Sequence, residues 1–158
     1  MITAEERAPK REEEEEANPR AEAFLEIICR VPAGEVEAAL SACGIGPTAE
    51  VEELVLKSRE CYKRPKSAVR FFRWAGQSVS HTAYAWNLLV DILGKAAMFE
   101  PMWDAIRSMK QEGGGGLVSV ATFASVFASY CAAGNIKDAI AGLRRHGPLR
   151  PQARRRRA

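Results

Sequence analysis

The chain has 158 residues, enough for one modest domain or a short array of repeats. Hydrophobic residues make up 47% and charged residues 27%, as in an ordinary folded protein, and no apolar run approaches the roughly 20 residues that span a bilayer. The formal net charge is +3, but residues 1–20 are net acidic and residues 144–158 hold seven arginines, so the middle of the chain is close to neutral. Composition therefore argues against a membrane partner, and bulk charge gives no argument for nucleic-acid binding.

Apolar residues in the N-terminal half recur at helical spacing, and sustained period-two alternation is absent. We expect a first helix over residues 20–30 and a short second helix that ends at Gly44. Thr48 suits the N-cap of a third helix, which is expected to run on to Cys61. After a basic turn around Pro65, a fourth helix should begin.

The fourth helix is expected to be capped by Ser67 and ended by Gly76. The side chains predicted to face inward are Ala68, Phe71, Phe72 and Ala75.

The C-terminal half predicts two more helix pairs. The first pair covers residues 83–94 and 99–112, and the glycines at 113–116 predict a flexible break after it. The second pair covers residues 119–134 and 135–145. A string of about eight helices with short connections predicts antiparallel helix pairs.

The four cysteines do not form a metal-binding pattern, because no two lie in a CxxC pair and the chain has only two histidines. They lie in or beside apolar helical runs, so we expect reduced thiols packed in the core. These residues are Cys29, Cys43, Cys61 and Cys131.

No catalytic constellation is present. The glycine run at 113–116 lacks the following Lys-Ser/Thr of a phosphate-binding loop, and the HxE and CxxC signature of a zinc deaminase is absent. We therefore expect no enzyme activity, no catalytic residue, no metal ligand and no cofactor.

The two C-terminal helix pairs repeat each other when residues 83–106 are shifted by 37 positions. Large apolar residues meet large ones on the first helix, and small residues meet small ones at the corner between the helices. The aligned apolar positions are Trp86 with Phe123, Leu89 with Val126, Val90 with Phe127, Leu93 with Tyr130, and Ile106 with Leu143.

The stretch "YAWNLLVDILGKAAMFEPMWDAIRSMKQEG", followed by "VATFASVFASYCAAGNIKDAI", resembles the pentatricopeptide repeat. The lead-in "KRPKSAVRFFRWAG" with "HTAYAWNLLVDILGK" is similar to the start of the array in many plant members. The resemblance covers about residues 49–143 and is strongest over 67–143. It implies an all-α fold, a right-handed α-solenoid of antiparallel helix pairs.

The helix pattern, the charged termini and the resemblance together predict the following division of the chain, which looks like the N-terminal part of a longer array or a remnant of one. We expect a disordered acidic leader over 1–19, a degenerate helix pair over 20–48, a degenerate repeat over 49–82, a repeat over 83–119, a partial repeat over 120–147 and a disordered basic tail over 148–158.

The resemblance also implies binding of single-stranded RNA from an organelle, with one base read per repeat. Asn87 is the candidate reader and Ser119 its partner, a pair that implies a pyrimidine with cytosine preferred. Val90 would sandwich a base, although a valine that packs helices is the alternative. Ala124 matches Asn87 in the final repeat and cannot hydrogen-bond a base, so it reads nothing or serves as a stacking platform. The alternative for Asn87 is a helix-start residue bonded to backbone.

A group of basic residues around the fourth helix is a candidate for phosphate contacts, with a solvated helix face as the alternative. The group comprises Lys63, Arg64, Lys66, Arg70 and Arg73. The arginines at 154–157 would bind any polyanion.

Two questions stay open on the sequence. The rival function is a protein–protein scaffold of tetratricopeptide-like helix pairs without RNA readout. The resemblance implies a mitochondrial location, with a plastid as the alternative, but the acidic start "MITAEERAPKREEEEE" is not a clear transit peptide.

Overall fold

The computed structural model describes residues 17–113 and 116–146. Within these ranges the regular structure is helical, without a strand. The helices are α1 Pro19–Arg30, α2 Val36–Ala42, α3 Ala49–Leu56, α4 Arg59–Lys63, α5 Pro65–Ala75, α6 Ala83–Lys95, α7 Phe99–Gly113, α8 Val120–Ala132 and α9 Ile136–His146, with a 3-10 turn at Ala33–Glu35 before α2. Most of the predicted leader and the whole predicted tail lie outside the described residues.

The helices form two layers. The first-helix layer consists of α1, α3, α6 and α8, each in contact with the next. The second-helix layer contains α2, α5, α7 and α9, and each of these helices contacts the first-layer helix that precedes it in its pair. The predicted all-α architecture of helix pairs is confirmed.

Side chains that accept hydrogen bonds from backbone N–H groups fix where the helices of the first layer begin. Asn18 accepts from Arg20 and Ala21, Thr48 accepts from Val51, and Thr82 accepts from Ala85. An oxygen at this position satisfies a donor that has no partner inside the helix. The predicted cap at Thr48 is confirmed.

Two predicted boundaries are wrong. The helix expected to run to Cys61 ends at Leu56, because the hydroxyl of Ser58 accepts the N–H of Cys61 and starts the separate helix α4. Ser67 does not cap α5: the helix begins at Pro65, whose fixed φ and missing N–H suit the first position, and Ser67 is buried inside it.

Aromatic side chains join the layers. Phe24 of α1 packs on Phe71 of α5 with ring centroids 5.5 Å apart, and Phe72 stacks on His81 at 3.6 Å. At the other end, Phe99 stacks on Tyr130 at 4.2 Å, and the indole N–H of Trp103 donates to the Tyr130 hydroxyl at 2.8 Å. None of the described helices is long and apolar enough to cross a membrane.

The four thiols are free, but they are not equally buried. Cys61 is fully buried, whereas Cys131 is exposed, which corrects the expectation of core packing for that residue. Cys29 donates its S–H to a carboxylate oxygen of Glu60 at 3.1 Å, and this hydrogen bond raises the pKa of the Cys29 thiol. Burial raises the pKa of Cys61 to about 12.

Alkylation with iodoacetamide at pH 8 should therefore modify Cys131 first and Cys61 last. A raised pKa lowers the fraction of thiolate, which is the reactive form, and burial restricts access as well. Glu60→Gln should increase the rate at Cys29 and have a much smaller effect at Cys61, where burial is the main cause of the raised pKa. Peptide mass spectrometry over time measures each site. Equal rates at Cys61 and Cys131 would contradict the burial of Cys61.

Candidate nucleic-acid interface

Four residues occupy equivalent places in the first-helix layer. Each lies five positions after the N-cap position of its helix. The N-cap positions are Asn18, Thr48, Thr82 and Ser119. We call the set of equivalent residues the central row, and it consists of Ala23, Glu53, Asn87 and Ala124. All four are at least partly accessible to solvent. Because the four helices stack in order, the row runs across the layer from one helix pair to the next.

Asn87 is held by the following helix rather than by its own backbone. The Thr122 hydroxyl donates to the Asn87 side-chain oxygen at 2.6 Å. The same hydroxyl accepts the backbone N–H of Ser119 at 3.2 Å. Asn87 and Ser119 are therefore connected through Thr122, with the amide oxygen of Asn87 directed at α8. Its NH₂ group is the end left to donate to a ligand.

Glu53 occupies the matching position one helix pair earlier. The Thr82 hydroxyl donates to a carboxylate oxygen of Glu53 at 2.6 Å and also accepts the N–H of Ala85 at the start of α6. This pair was not predicted from the sequence. The sequence does contain a signal for this equivalence. Thr48 and Thr82 both cap helices, and Glu53 lies as far after Thr48 as Asn87 lies after Thr82.

Tyr84 is a second residue of this surface that was not predicted from the sequence. It lies three positions before Asn87 on α6, which places the two side chains on one helix face, and it is 51% exposed. A large aromatic ring in solvent beside polar side chains is the arrangement on which nucleic-acid bases stack.

The same face of α6 continues with a neutralised acidic residue. Asp91 accepts a hydrogen bond from the Tyr62 hydroxyl at 2.5 Å and lies 3.0 Å from the ammonium of Lys95. Burial, together with this hydrogen bond, raises the pKa of Tyr62. The ammonium of Lys95 also stands 4.9 Å from the centre of the Tyr62 ring. The cluster therefore carries little net charge toward a ligand.

Two mitochondrial pentatricopeptide repeat-containing proteins of Arabidopsis thaliana are similar to this chain. One is 28% identical over 127 residues, which cover 79% of this chain and 24% of the relative. The other is 29% identical over 104 residues, which cover 64% of this chain and 18% of the relative. The resemblance to the pentatricopeptide repeat proteins is confirmed. The chain thus matches about a quarter or less of the length of either relative.

No protein-family model matches the chain, and no solved structure matches it. The similarity to pentatricopeptide repeat proteins and the helix pairs of the structure together support a solenoid. Among the described residues, no group of three or more His, Cys, Asp or Glu side chains is placed to hold a metal ion.

Two residues suggested by the pentatricopeptide resemblance differ in accessibility. Val90 is 0% exposed in the core between helices, so its side chain cannot sandwich a base in this structure. This corrects the prediction in favour of its packing alternative. Ala124 is exposed on the central row, and its methyl group offers no hydrogen bond to a base.

The predicted phosphate contacts lie on α4 and α5 and at the junction between them. Lys66, Arg70 and Arg73 are exposed on α5, which belongs to the second-helix layer, and Arg70 lies 3.7 Å from Glu37. Lys63 and Arg64 are exposed at the junction of α4 and α5. Both α4 and α5 contact α6, the helix that carries Asn87.

Proposed function

We propose that this chain binds single-stranded RNA through the first-helix layer, without catalysis, as a helical-repeat module. The observation that carries the proposal is the pair of polar residues Glu53 and Asn87, fixed at equivalent positions by hydrogen bonds from the next helix pair. A group that is already oriented loses less conformational entropy when it binds a base. The two relatives of this chain are named as pentatricopeptide repeat-containing proteins, which supports RNA binding as the class of function.

The proposed contacts combine hydrogen bonding with stacking. The Asn87 NH₂ group would donate to an acceptor on a pyrimidine, with cytosine preferred, and Ser119 borders the same position. A neighbouring base would stack on Tyr84, a contact worth about 1–3 kcal/mol. Ala124 would read no base. The proposed phosphate contacts are the exposed basic residues from the end of α4 through α5, which are Lys63, Arg64, Lys66, Arg70 and Arg73.

The proposed setting is organellar RNA metabolism in the mitochondrion, because both relatives are named as mitochondrial. Protein binding is the second candidate function. It is favoured by the apolar residues Ala23 and Ala124 at the two ends of the central row, and by the nearly neutral folded region.

Asn87→Asp should weaken binding to a labelled cytosine-containing single-stranded RNA about tenfold. The aspartate keeps the oxygen that accepts from Thr122 but removes the NH₂ donor, and a hydrogen bond to a buried base edge contributes roughly 1 kcal/mol or more. Tyr84→Ala should cause a similar loss and Tyr84→Phe almost none, because the stacking ring remains. Fluorescence anisotropy at fixed salt measures each dissociation constant.

The matched controls separate base contacts from bulk charge. Lys66→Ala removes one exposed cation on the other layer, and a chain ending at Arg145 removes the arginines at 154–157. We expect the RNA affinity of both variants to depend less on salt concentration than that of the wild type. Their preference for cytosine over adenine should be the same as in the wild type. Binding that disappears with the tail and is unaffected at Asn87 and Tyr84 would exclude base readout.

A further inference from the structure

The last helix pair, α8–α9, exposes several large apolar side chains. Val120, Phe127, Ile136 and Ile140 are 86%, 47%, 54% and 45% exposed. Elsewhere in the described part of the chain, the only other large hydrophobic residue that is exposed is Tyr84. We call the four residues of α8–α9 the end face.

The corresponding face of the preceding helix pair is an interface. On α6, Asn87 is bonded to Thr122 of α8, and a Cβ atom placed on Gly94 would lie 2.8 Å from Cβ of Ser129 on α8. Val90 lies between these two positions on the same helix face and is 0% exposed. Under the 37-residue repeat, Phe127 has the place of Val90.

The second helix gives the same correspondence. Ile136 has the place of Phe99, which stacks on Tyr130, and Ile140 has the place of Trp103, which donates to the Tyr130 hydroxyl. The residues of α6–α7 that pack against α8–α9 therefore have counterparts on α8–α9 that are apolar and exposed. The end face thus holds apolar residues at positions that form an interface one helix pair earlier in the chain.

We propose that in a solution of this chain the end face of a second copy covers this end face. Large apolar side chains in water favour a contact that buries them, and four of them are exposed on α8–α9. Contact between two end faces is isologous, so each copy covers the apolar residues of the other.

The segment that follows α9 is a poor alternative occupant. Residues 147–158 contain five arginines and two prolines against a single large apolar residue, Leu149. Such a segment offers little apolar area to cover four large side chains, and prolines oppose the regular helix that stacking requires. The end face of a second copy instead supplies four large apolar side chains.

The first test is the oligomeric state in the absence of RNA. Light scattering after size-exclusion chromatography should give a mass that rises with concentration toward twice the 17.3 kDa of one chain. Phe127→Asp and Ile140→Asp should each keep the mass at one chain, because a charge would be buried at the contact. Tyr84→Asp is the matched control on another exposed apolar residue and should still dimerise. A wild type that is monomeric throughout, or a dimer that both end-face variants retain, would overturn the proposal.

The second test uses Cys131, which has the place of Gly94 under the repeat and is exposed. Its alkylation rate in the wild type should fall as protein concentration rises, and the rate in Phe127→Asp should not depend on concentration. Slow alkylation of Cys131 at every concentration, in a chain that stays monomeric, would mean that the chain covers its own end face. That result would contradict the proposal that a second copy covers it. Because neither test contains RNA, their failure leaves the RNA-binding proposal untouched.

Discussion

Replacing His81 with leucine is expected to lower the free energy of unfolding by about 3–5 kcal/mol. His81 Nδ1 lies 2.7 Å from a carboxylate oxygen of Glu52, and the two side chains are only 7% and 1% exposed. The second carboxylate oxygen of Glu52 is buried and has no hydrogen-bond partner among the described residues. Leucine would fill much of the space of the ring against Phe72 but would leave the Glu52 carboxylate buried without its remaining partner. Urea unfolding followed by circular dichroism gives the difference.

The double variant Glu52→Leu/His81→Leu separates two explanations for the lost stability. One is a buried Glu52 carboxylate left without its partner, and the other is the loss of a stabilising interaction between Glu52 and His81. Because an apolar pair of similar volume has no charge to desolvate, we expect the double variant to lie within about 1–2 kcal/mol of the wild type. The slope of the unfolding free energy against urea should be the same in all variants if they unfold in two states. A His81→Leu variant as stable as the wild type would contradict the burial of this pair.

Gly94→Ala is expected to destabilise the protein by about 1–3 kcal/mol, although alanine is intrinsically the better helix former by about 1 kcal/mol. A Cβ atom at this position would overlap the Ser129 hydroxyl oxygen and lie 2.8 Å from Ser129 Cβ and 3.3 Å from the sulfur of Met102. Helices α6 and α8 would have to move apart. The midpoint of thermal or urea unfolding measures the loss.

The partner substitution Ser129→Gly tests whether the loss comes from this one contact. We expect Gly94→Ala/Ser129→Gly to be more stable than the sum of the two single changes predicts, because the glycine removes the obstructing side chain. Gly34→Ala is the matched control, since a Cβ there meets no atom within 4 Å and its effect should stay within about 0.5 kcal/mol. Equal losses at Gly34 and Gly94 would show that packing between α6 and α8 is not the cause.

Helix boundaries could be predicted from the sequence where a local signal determines them. The hydroxyl of Thr48 and the glycine at position 76 act within their own turns, and the structure has a helix start and a helix end at these places. The break between α3 and α4 also has a local signal in Ser58, but an apolar stripe that continued to Cys61 favoured one long helix. Burial of Cys61 from a separate helix is a tertiary effect, which periodicity does not express.

The candidate site was predicted only in part for a related reason. Asn87 is identifiable from its place beside Trp86 in the repeat motif. Its contact with Thr122 joins residues 35 positions apart, and the contact between Glu53 and Thr82 joins residues 29 positions apart. Such pairs become visible only when the offset between stacked helices is known. The exclusion of Val90 likewise needed its burial, because valine suits both a core and a base contact.

The hydroxyl of Thr82 has two roles, since it begins α6 and also bonds Glu53 of the preceding helix pair. Fraying of the first turn of α6 would therefore also release a side chain of α3, and opening of the α3–α6 contact would leave α6 with a weaker start. Such sharing couples neighbouring units of a linear array. In native-state hydrogen exchange, the amides of α3 and of the first turn of α6 should then open as a single cooperative unit.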